Sequence, residues 1–434
     1  MEVRLGPADW LKIDRPKPLP HQYLRGMSNL SAHPDVHLHP GKEKPIKQGH
    51  PWVFSGAISR IEVDDAAPAA GDWVRVRDSK GSFLGWGHWG DGSIAVRILE
   101  RRQETAPPIK EWWANHLSRC LDVRIATGLW NGGSDERGFR AVHGEGDGLS
   151  GLVIDIYAGL AVIQTHSLGM HRALDDIADG LRAAMGNALL GMVNKSGNLL
   201  QKLEGHNGKD RDGWLWSTKE VDLPHPFQEH GIAYEVDPVR GQKTGFFLDQ
   251  RDNRALLMDM AQGKAVLNAF SYTGGFSMAA LRGGSPRVIS LDASQPAVDA
   301  AQRHAELNGF GDRHEGVCGD VMAYLRQTDA LPPFVILDPP AYAKSRKARH
   351  KAVQGYKRLN ETALRKMPEN SVLWTFSCSQ VVDARLFEDT VVAAALASGR
   401  QVRILRRLGQ PADHPTQAGH GEARYLKGLI LHIT

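Results

Sequence analysis

The chain contains the stretch FVILDPPAYAKSRK, residues 334–347, which decides the fold. Its first four residues are apolar and predict a strand that is buried on both faces. Asp338, Pro339 and Pro340 follow directly, and two prolines end a strand because each lacks an N–H and fixes its own φ. The sequence thus predicts a carboxylate and a stiff loop at the C-terminal end of a buried strand. Open α/β sheets bind their ligands at this edge.

The residues on both sides of this strand alternate between strand and helix patterns. Predicted strands lie at 266–270, 288–292, 314–319, 334–337 and 372–377, and predicted helices at 276–282, 296–308, 321–327, 356–367 and 383–397. Such alternation indicates an α/β fold with a parallel sheet. Two final strands, 402–408 and 425–433, follow each other without a long helix between them, which predicts one antiparallel strand.

The chain divides into four segments by the texture of its sequence. Residues 1–35 are rich in proline and polar side chains, and we expect a poorly ordered extension. Short strand-like runs between Gly, Asp and Ser turns predict a small β-barrel over 36–105. A helix pattern at 109–127, followed by strands around a glycine-rich turn, predicts a small central α+β domain over 106–225. The alternating segment, 226–434, forms the last domain.

Composition excludes several classes of protein. The 434 residues are 41% hydrophobic and 24% charged, as in a soluble globular protein with two or three domains. No apolar run approaches the ~20 residues of a membrane helix, so we expect no membrane partner. The cysteines, Cys120, Cys318 and Cys378, are far apart, which argues against disulfides and thiolate zinc and favours the cytoplasm. The histidines show no ligand spacing, and we expect no metal.

The first turn of the alternating segment has the features of a nucleoside-binding loop. Gly274 and Gly275 allow a close backbone approach to a ligand, and the next helix points its N-terminal amides at the same place. The turn matches neither G-x-G-x-x-G nor GxxxxGK[ST], which disfavours dinucleotides and ordinary NTPase activity. Asp292 ends the next strand and suits the hydroxyls of a ribose, and Asp320 suits an adenine amino group. Each acid alone could be a helix cap, but together with Asp338 they favour an adenosyl cofactor.

The Asp-Pro-Pro segment has a second interpretation as a base-binding loop. In many S-adenosylmethionine-dependent nucleic-acid methyltransferases, a D-P-P-aromatic segment holds a base near the sulfonium methyl; the alternative is an ordinary Pro-Pro turn. Seven basic residues and no acidic residue follow between 344 and 358. They are Lys344, Arg346, Lys347, Arg349, Lys351, Lys357 and Arg358. Such a run is usually a solvated face, but beside the proposed pocket it could neutralise nucleic-acid phosphates.

Cys378 lies in TFSCSQ, just after the strand that follows Asp338. A lone cysteine is most often a small buried hydrophobe. The flanking Ser377 and Ser379 instead indicate a strand-end loop that opens on the same edge of the sheet as Asp338. A thiolate there could add to C6 of a pyrimidine and so make C5 nucleophilic enough to attack a methyl sulfonium.

Several short segments of the sequence, taken together, resemble a known protein family. They are GQKTGFFLDQRDNR (241–254), VLNAFSYTGGF (266–276), VISLDAS (288–294), LDPPAYAKS (337–345), GYK (355–357), FSCS (376–379), ADHP (412–415), YLKG (425–428), HPWVFSGAI (50–58) and GEGDGLSGLVID (144–155). In order and spacing, from about residue 36 to the C terminus, they resemble the RlmI-like family of ribosomal RNA large-subunit methyltransferases. The extension before residue 36 and the irregular stretch 197–218 depart from the family pattern.

The resemblance implies a PUA-type RNA-binding domain, the central α+β domain and a Rossmann-like class I methyltransferase domain. It implies S-adenosylmethionine as methyl donor, large-subunit ribosomal RNA as partner and 5-methylcytosine in 23S RNA as product, with Cys378 as nucleophile and Asp338 addressing the base. Implied cofactor contacts are Gln250, Arg251, Phe270, Ser271, Tyr272, Thr273, Gly274, Asp292, Ser294 and Asp320. Expected substrate contacts are Pro339, Pro340, Tyr342, Lys344, Tyr356 and Lys357.

Several alternatives stay open at the level of sequence. The enzyme could instead methylate an exocyclic nitrogen of adenine or guanine without a covalent step. The chain could also be a non-catalytic RNA-binding factor in ribosome assembly, and a homodimer is compatible with the sequence. The base that removes the C5 proton is not identified: Asp413, His414 and Glu422 are candidates, each of which could as easily be structural.

Overall fold

The structure, a computed structural model, describes residues 33–63, 66–218, 220–343 and 345–434. Most of the predicted extension, and Lys344 of the basic run, lie outside these ranges.

The N-terminal part is a curled six-stranded sheet. Its elements are β1 (Asp35–Leu38), α1 (Glu43–Lys47), β2 (Trp52–Phe54), β3 (Ile58–Glu62), β4 (Trp73–Arg77), β5 (Phe83–Trp89) and β6 (Ile94–Glu100). The strand order is β2-β6-β5-β4-β1-β3. The edge strands β2 and β3 are joined by only three residues, Ser55–Ala57, so the sheet must curl until its edges meet. Alternating valines such as Val74 and Val76 fill the inside.

The central part is a second sheet with helices. Its elements are α2 (Lys110–Ala126), β7 (Gly138–His143), β8 (Leu152–Tyr157), β9 (Leu160–Thr165), α3 (Leu168–Arg172), α4 (Leu174–Met185), β10 (Gly191–Asn194), α5 (Gly197–Glu204) and β11 (Gly213–Ser217). The strand order is β11-β10-β9-β8-β7. Helices α2 and α4 bury Trp113, Leu117 and Ile177 in one apolar cluster with the sheet residues Ile154 and Ile163.

The C-terminal part begins with a hairpin, β12 (His225–Glu229) and β13 (Ile232–Val236), and continues as a seven-stranded sheet. Its elements are α6 (Arg251–Met260), β14 (Val266–Ala269), α7 (Gly275–Arg282), β15 (Val288–Asp292), α8 (Gln295–Leu307), β16 (His314–Cys318), α9 (Val321–Gln327), β17 (Phe334–Leu337), α10 (Arg349–Lys366), β18 (Ser371–Ser377), α11 (Ala384–Ser398), β19 (Val402–Leu408) and β20 (Lys427–Ile433).

The order in this sheet is β16-β15-β14-β17-β18-β20-β19. Strands β14 to β18 are parallel, and β20 runs antiparallel to both β18 and β19. The predicted antiparallel strand is therefore confirmed. The chain reverses its strand order at β14, whose neighbours are β15 and β17, and this reversal opens a crevice at the carboxyl ends of the strands. In the described part of the chain, no helix is both long and apolar enough to cross a membrane.

Candidate active site

Strand register brings the predicted site residues to one edge of the sheet. Ala269 is paired with Leu291 on one side and with Leu337 on the other, and Leu337 is paired with Thr375. Parallel strands that are in register also end together. The residues that follow each strand therefore meet at the same edge, although up to 108 positions separate Phe270 from Cys378.

A cavity of about 360 Å³ opens at this edge. This volume falls within the ~300–1,000 Å³ typical of small-molecule sites. The predicted residues in its lining are Gln250, Phe270, Ser271, Tyr272, Thr273, Asp292, Asp320, Asp338, Pro339, Pro340 and Cys378. The cavity thus unites the predicted cofactor acids with the predicted nucleophile.

The loop between β14 and α7 is held in an uncommon backbone conformation. Phe270 and Tyr272 have φ angles of 62° and 48°, and Gly274 has 79°. For residues with a Cβ such angles are strained and are typical of ligand-binding loops. The ring of His304 in α8 fixes the loop, because its Nδ1 donates to the carbonyl oxygen of Thr273 at 2.9 Å. The loop is therefore preorganised to present backbone groups to a ligand.

Asp292 and Asp320 have different local roles beside the cavity. The Asp292 carboxylate accepts the backbone N–H of Tyr272 and of Ser294, both at 2.9 Å, so it organises two loops at once. Asp320 is the N-cap of α9 and accepts the N–H of Ala323 at 2.7 Å. Both carboxylates also line the cavity, so their remaining lone pairs can accept hydrogen bonds from a nucleoside.

The lining of the same cavity also contains Asp338 and Cys378. Gln250 orients the carboxyl of Asp338, donating from Nε2 to Oδ2 at 3.0 Å, and is itself held by Asn253. Burial, together with the charge of Asp249, raises the pKa of Asp338 to about 7. Burial and the charge of Asp338 also raise the pKa of the Cys378 thiol. Asp338 can therefore hold or release a proton near neutral pH, whereas Cys378 starts as a thiol.

Sequence analysis missed several residues of the cavity lining. Lys243, Phe246, Phe247 and Asp249 line the cavity. All four stand in the quoted block GQKTGFFLDQRDNR, and the sequence signal was therefore present, but only Gln250 and Arg251 were selected. Lys427 also contributes, because its Nζ donates to the carbonyl oxygens of Ser379 and Tyr425 and so fixes the loop that carries Cys378.

Other predicted residues lie outside the cavity lining among the described residues. Arg251 is buried and donates to the carbonyl oxygen of Gly138 at 2.6 Å and to Asp413 at 3.2 Å, which joins α6 to the central sheet. Gly274 and Ser294 shape the cofactor loops through their backbone. The rings of Tyr342 and Tyr356 lie 4.7 Å apart beneath the Pro-Pro loop.

The remaining predicted contacts are on or near α10, or are not described. Lys357 is half-buried on α10, and Lys344 lies outside the described residues. The three candidate bases of the final segment are also absent from the cavity lining among the described residues. Asp413 and His414 are buried against each other and against Arg251, and Glu422 lies 3.6 Å from His50 of the N-terminal sheet.

The contact of Glu422 with His50 belongs to a small cluster at the domain junction. His50, His420 and Glu422 bring ligand atoms within 4.8 Å of one another. The ring of Trp52 packs on that of His420 at 4.5 Å, and its indole N–H donates to Glu145 of the central part. The cluster therefore joins all three parts of the molecule.

Comparison with known proteins agrees with this architecture. Residues 36–101 match the model of a PUA-like domain, and residues 206–431 match that of an S-adenosylmethionine-dependent methyltransferase. A SAM-dependent methyltransferase structure from Streptococcus mutans, 21% identical, superimposes with a TM-score of 0.78 and covers 92% of this chain and 100% of its own. The predicted fold class, a Rossmann-like methyltransferase domain with PUA-type and central α+β domains, is confirmed.

The fold and the cavity define a class I S-adenosylmethionine-dependent methyltransferase, and S-adenosylmethionine is its cofactor. Comparison with curated relatives identifies the family within this class. The Ribosomal RNA large subunit methyltransferase I of Photobacterium profundum is 36% identical over 403 residues, 92% of this chain and 99% of the relative. The protein of the same name from Vibrio parahaemolyticus is 37% identical over 408 residues, again 92% and 99%. The chain belongs to the ribosomal RNA large subunit methyltransferase I family.

Proposed function

We propose that this protein methylates C5 of a cytosine in large-subunit ribosomal RNA through a covalent adduct with Cys378. The names of the relatives support the RNA substrate. The observation that carries the C5 assignment is the shared cavity: Cys378 and Asp338 line the same space as the cofactor loops and acids. A methyltransferase that acts on an exocyclic nitrogen needs no thiol there, because the amine is already the nucleophile.

The chemistry requires help from the protein because C5 of cytosine is a weak nucleophile. S-adenosylmethionine supplies an electrophilic methyl group on its sulfonium. Attack of the Cys378 sulfur on C6 turns C5 into an enamine carbon, which can accept that methyl group. The thiol must first lose its proton, and N3 of the ring must gain one. Asp338, with a pKa of about 7, is suited to take the first proton and to donate the second.

Exposed basic side chains support binding of a polyanion beside the cavity. Arg349, Lys351 and Arg358 are exposed on α10, which begins just beyond the Asp-Pro-Pro loop. These guanidinium and ammonium groups can neutralise phosphates next to a target base without reading its sequence. The PUA-like sheet adds a second surface for RNA. We also propose a cytoplasmic location, in keeping with the free cysteines Cys120, Cys318 and Cys378.

The test replaces Cys378 by alanine and measures methyl transfer from labelled S-adenosylmethionine to unmodified ribosomal RNA. We expect Cys378→Ala to lose at least ~1,000-fold in rate, since the covalent step is removed, and to bind the cofactor as the wild type does. Cys318→Ala is the matched control, because Cys318 is an exposed free thiol at the end of another strand of the same sheet, β16, and it should keep full activity.

Mass spectrometry of nuclease-digested RNA then identifies the methylated atom. The expected product is 5-methylcytosine. Full activity of Cys378→Ala, or a methyl group on an exocyclic nitrogen, would instead support the non-covalent mechanism on adenine or guanine. Failure of the wild type to bind S-adenosylmethionine in calorimetry would support a non-catalytic RNA-binding factor.

A further inference from the structure

A C5-methylating enzyme needs a base that the proposed function does not yet include. After methyl transfer, C5 carries both its original hydrogen and the new methyl group, and C6 is bonded to the cysteine sulfur. The product forms only when the C5 proton leaves. Asp413, His414 and Glu422 do not line the cavity in the described part of the chain. The base must therefore come from another part of the structure.

Asp249 is a carboxylate in the wall of the cavity. It lies in the short turn Leu248–Gln250 before α6, and its side chain is 7% exposed. The hydroxyl of Tyr425 donates to Oδ2 at 2.8 Å. Among the described residues no donor binds Oδ1, so one oxygen is anchored and the other is free to accept a proton. Oriented carboxylates of this kind are common general bases.

Charged neighbours in the cavity shift the pKa values of Asp249 and Asp338 in opposite directions. Burial alone would raise the pKa of Asp249, but the positive charge of Lys243 and the hydrogen bond from Tyr425 leave it below its ordinary value. Burial and the negative charge of Asp249 raise the pKa of Asp338 to about 7. Two carboxyl groups whose surroundings separate their pKa values in one site are the usual sign of divided acid and base roles.

We propose that Asp249 is the base that removes the C5 proton, an inference that rests on the proposed C5 methylation through Cys378. The C5–H bond breaks and its proton moves to Oδ1 of Asp249. The electron pair of that bond forms the C5–C6 double bond, and the C6–S bond breaks with its electrons on the sulfur of Cys378. The step is redox-neutral, and N3 gives back to Asp338 the proton that it gained, so the products are neutral 5-methylcytosine and the thiolate of Cys378. Tyr425 acts as a positioning residue, because it orients the Asp249 carboxylate without touching the target cytosine.

The test is Asp249→Asn, which keeps the shape of the side chain and removes the base. The variant should form the adduct and transfer one methyl group but release product slowly. We expect a Cys378–RNA complex that survives denaturing electrophoresis and carries label from S-adenosylmethionine. Release of tritium from RNA labelled at cytosine C5 should fall by at least ~100-fold. Asp252→Asn, at an exposed position three residues along the same segment, should behave as the wild type.

Two further variants keep the outcome interpretable. Cys378→Ala combined with Asp249→Asn should give no complex, which identifies the sulfur in the adduct. Tyr425→Phe removes the anchoring hydroxyl and should slow tritium release about fivefold with unchanged cofactor affinity, which corresponds to the loss of one hydrogen bond.

Normal tritium release by Asp249→Asn would overturn the assignment, as would a loss of S-adenosylmethionine binding without any adduct, which would place Asp249 in the cofactor site. These failures differ from failure of the proposed function. In that case the wild-type product is not 5-methylcytosine, or Cys378→Ala remains active, whatever Asp249→Asn does.

Discussion

At the scale of single residues, the pKa of each carboxyl group in the cavity depends on the neighbouring residues more than on the residue type. Asp338 and Asp249 are aspartates that line the same cavity, yet the pKa of Asp338 is raised to about 7 and that of Asp249 is lowered. The raised value has a consequence for stability. Asp338 binds its proton more tightly in the folded protein than in the unfolded chain. The resulting stabilisation of the folded state is complete below pH 3.8 and is lost as the pH rises towards 7.

Asp338→Asn should therefore separate stability from activity. The variant cannot ionise, so relative to the wild type its free energy of unfolding should increase between pH 5 and pH 8. The displacement from 3.8 to about 7 corresponds to about 4 kcal/mol, and partial exposure of Asp338 reduces our expectation to about 2 kcal/mol. Methyl transfer should fall at least ~100-fold. Urea unfolding at the two pH values measures the first effect, and the exposed Asp299→Asn should show no such trend.

At the scale of elements, the loop before α7 depends on a glycine that no other residue replaces without strain. Gly274 has a φ of 79° and is the N-cap of α7. A Cβ at this position would lie 2.8 Å from Cβ of Ala301 in α8. The helix can therefore begin this close to α8, with its amides towards the cavity, only because the side chain is absent.

Gly274→Ala should weaken both stability and cofactor binding. The left-handed conformation alone costs about 1–2 kcal/mol for alanine, and the contact with Ala301 shifts the loop. We expect the Kd for S-adenosylmethionine to rise at least tenfold, measured by calorimetry. Gly309→Ala is the matched control: its φ is 70°, and a Cβ there would meet nothing within 4 Å. It should lose similar backbone stability and bind the cofactor normally; equal affinity in both variants would contradict this account of the loop.

Helix α10 shows where the prediction of elements was wrong. The sequence predicted a helix over 356–367, but α10 begins at Arg349. Its first two turns, residues 349–355, carry mostly polar or small side chains, so the apolar periodicity that signals a helix is almost absent there. Four of the seven basic residues of the run, Arg349, Lys351, Lys357 and Arg358, therefore lie on this helix.

At the scale of the whole molecule, a hydrogen bond between two buried ion pairs connects the central part to the methyltransferase part. Arg124 of α2 is fully buried and binds both carboxylate oxygens of Asp147, at 2.6 and 2.7 Å. The same guanidinium donates to the carbonyl oxygen of Asp413 at 2.9 Å, and Asp413 accepts from Arg251. The helix that carries Gln250 at its N-terminal end is thereby tied to the central sheet.

Arg124→Met should destabilise the protein strongly because it leaves the Asp147 carboxylate buried without its partner. The expected cost is about 3–5 kcal/mol in the free energy of unfolding. Calorimetry should also show the central and methyltransferase parts unfolding less cooperatively. Arg385→Met is the control, since Arg385 is 90% exposed and 3.9 Å from Asp389, and it should cost less than ~1 kcal/mol. A small effect of Arg124→Met would mean that this network does not hold the parts together.

The sequence alone was enough to predict the class of fold and to place several acidic residues at one edge of the sheet. Buried parallel strands are recognisable as apolar runs, and because such strands end at one edge, acids such as Asp292 and Asp338 could be assigned to a common site from local patterns. Which of the residues around them line the cavity follows only from tertiary packing. Arg251, next to Gln250 in sequence, turns away to Asp413, 162 positions later, whereas Asp249 enters the cavity and is held by Tyr425, 176 positions later. Side-chain direction and pKa depend on neighbours that only long-range packing brings together, and these leave no local signal in the sequence.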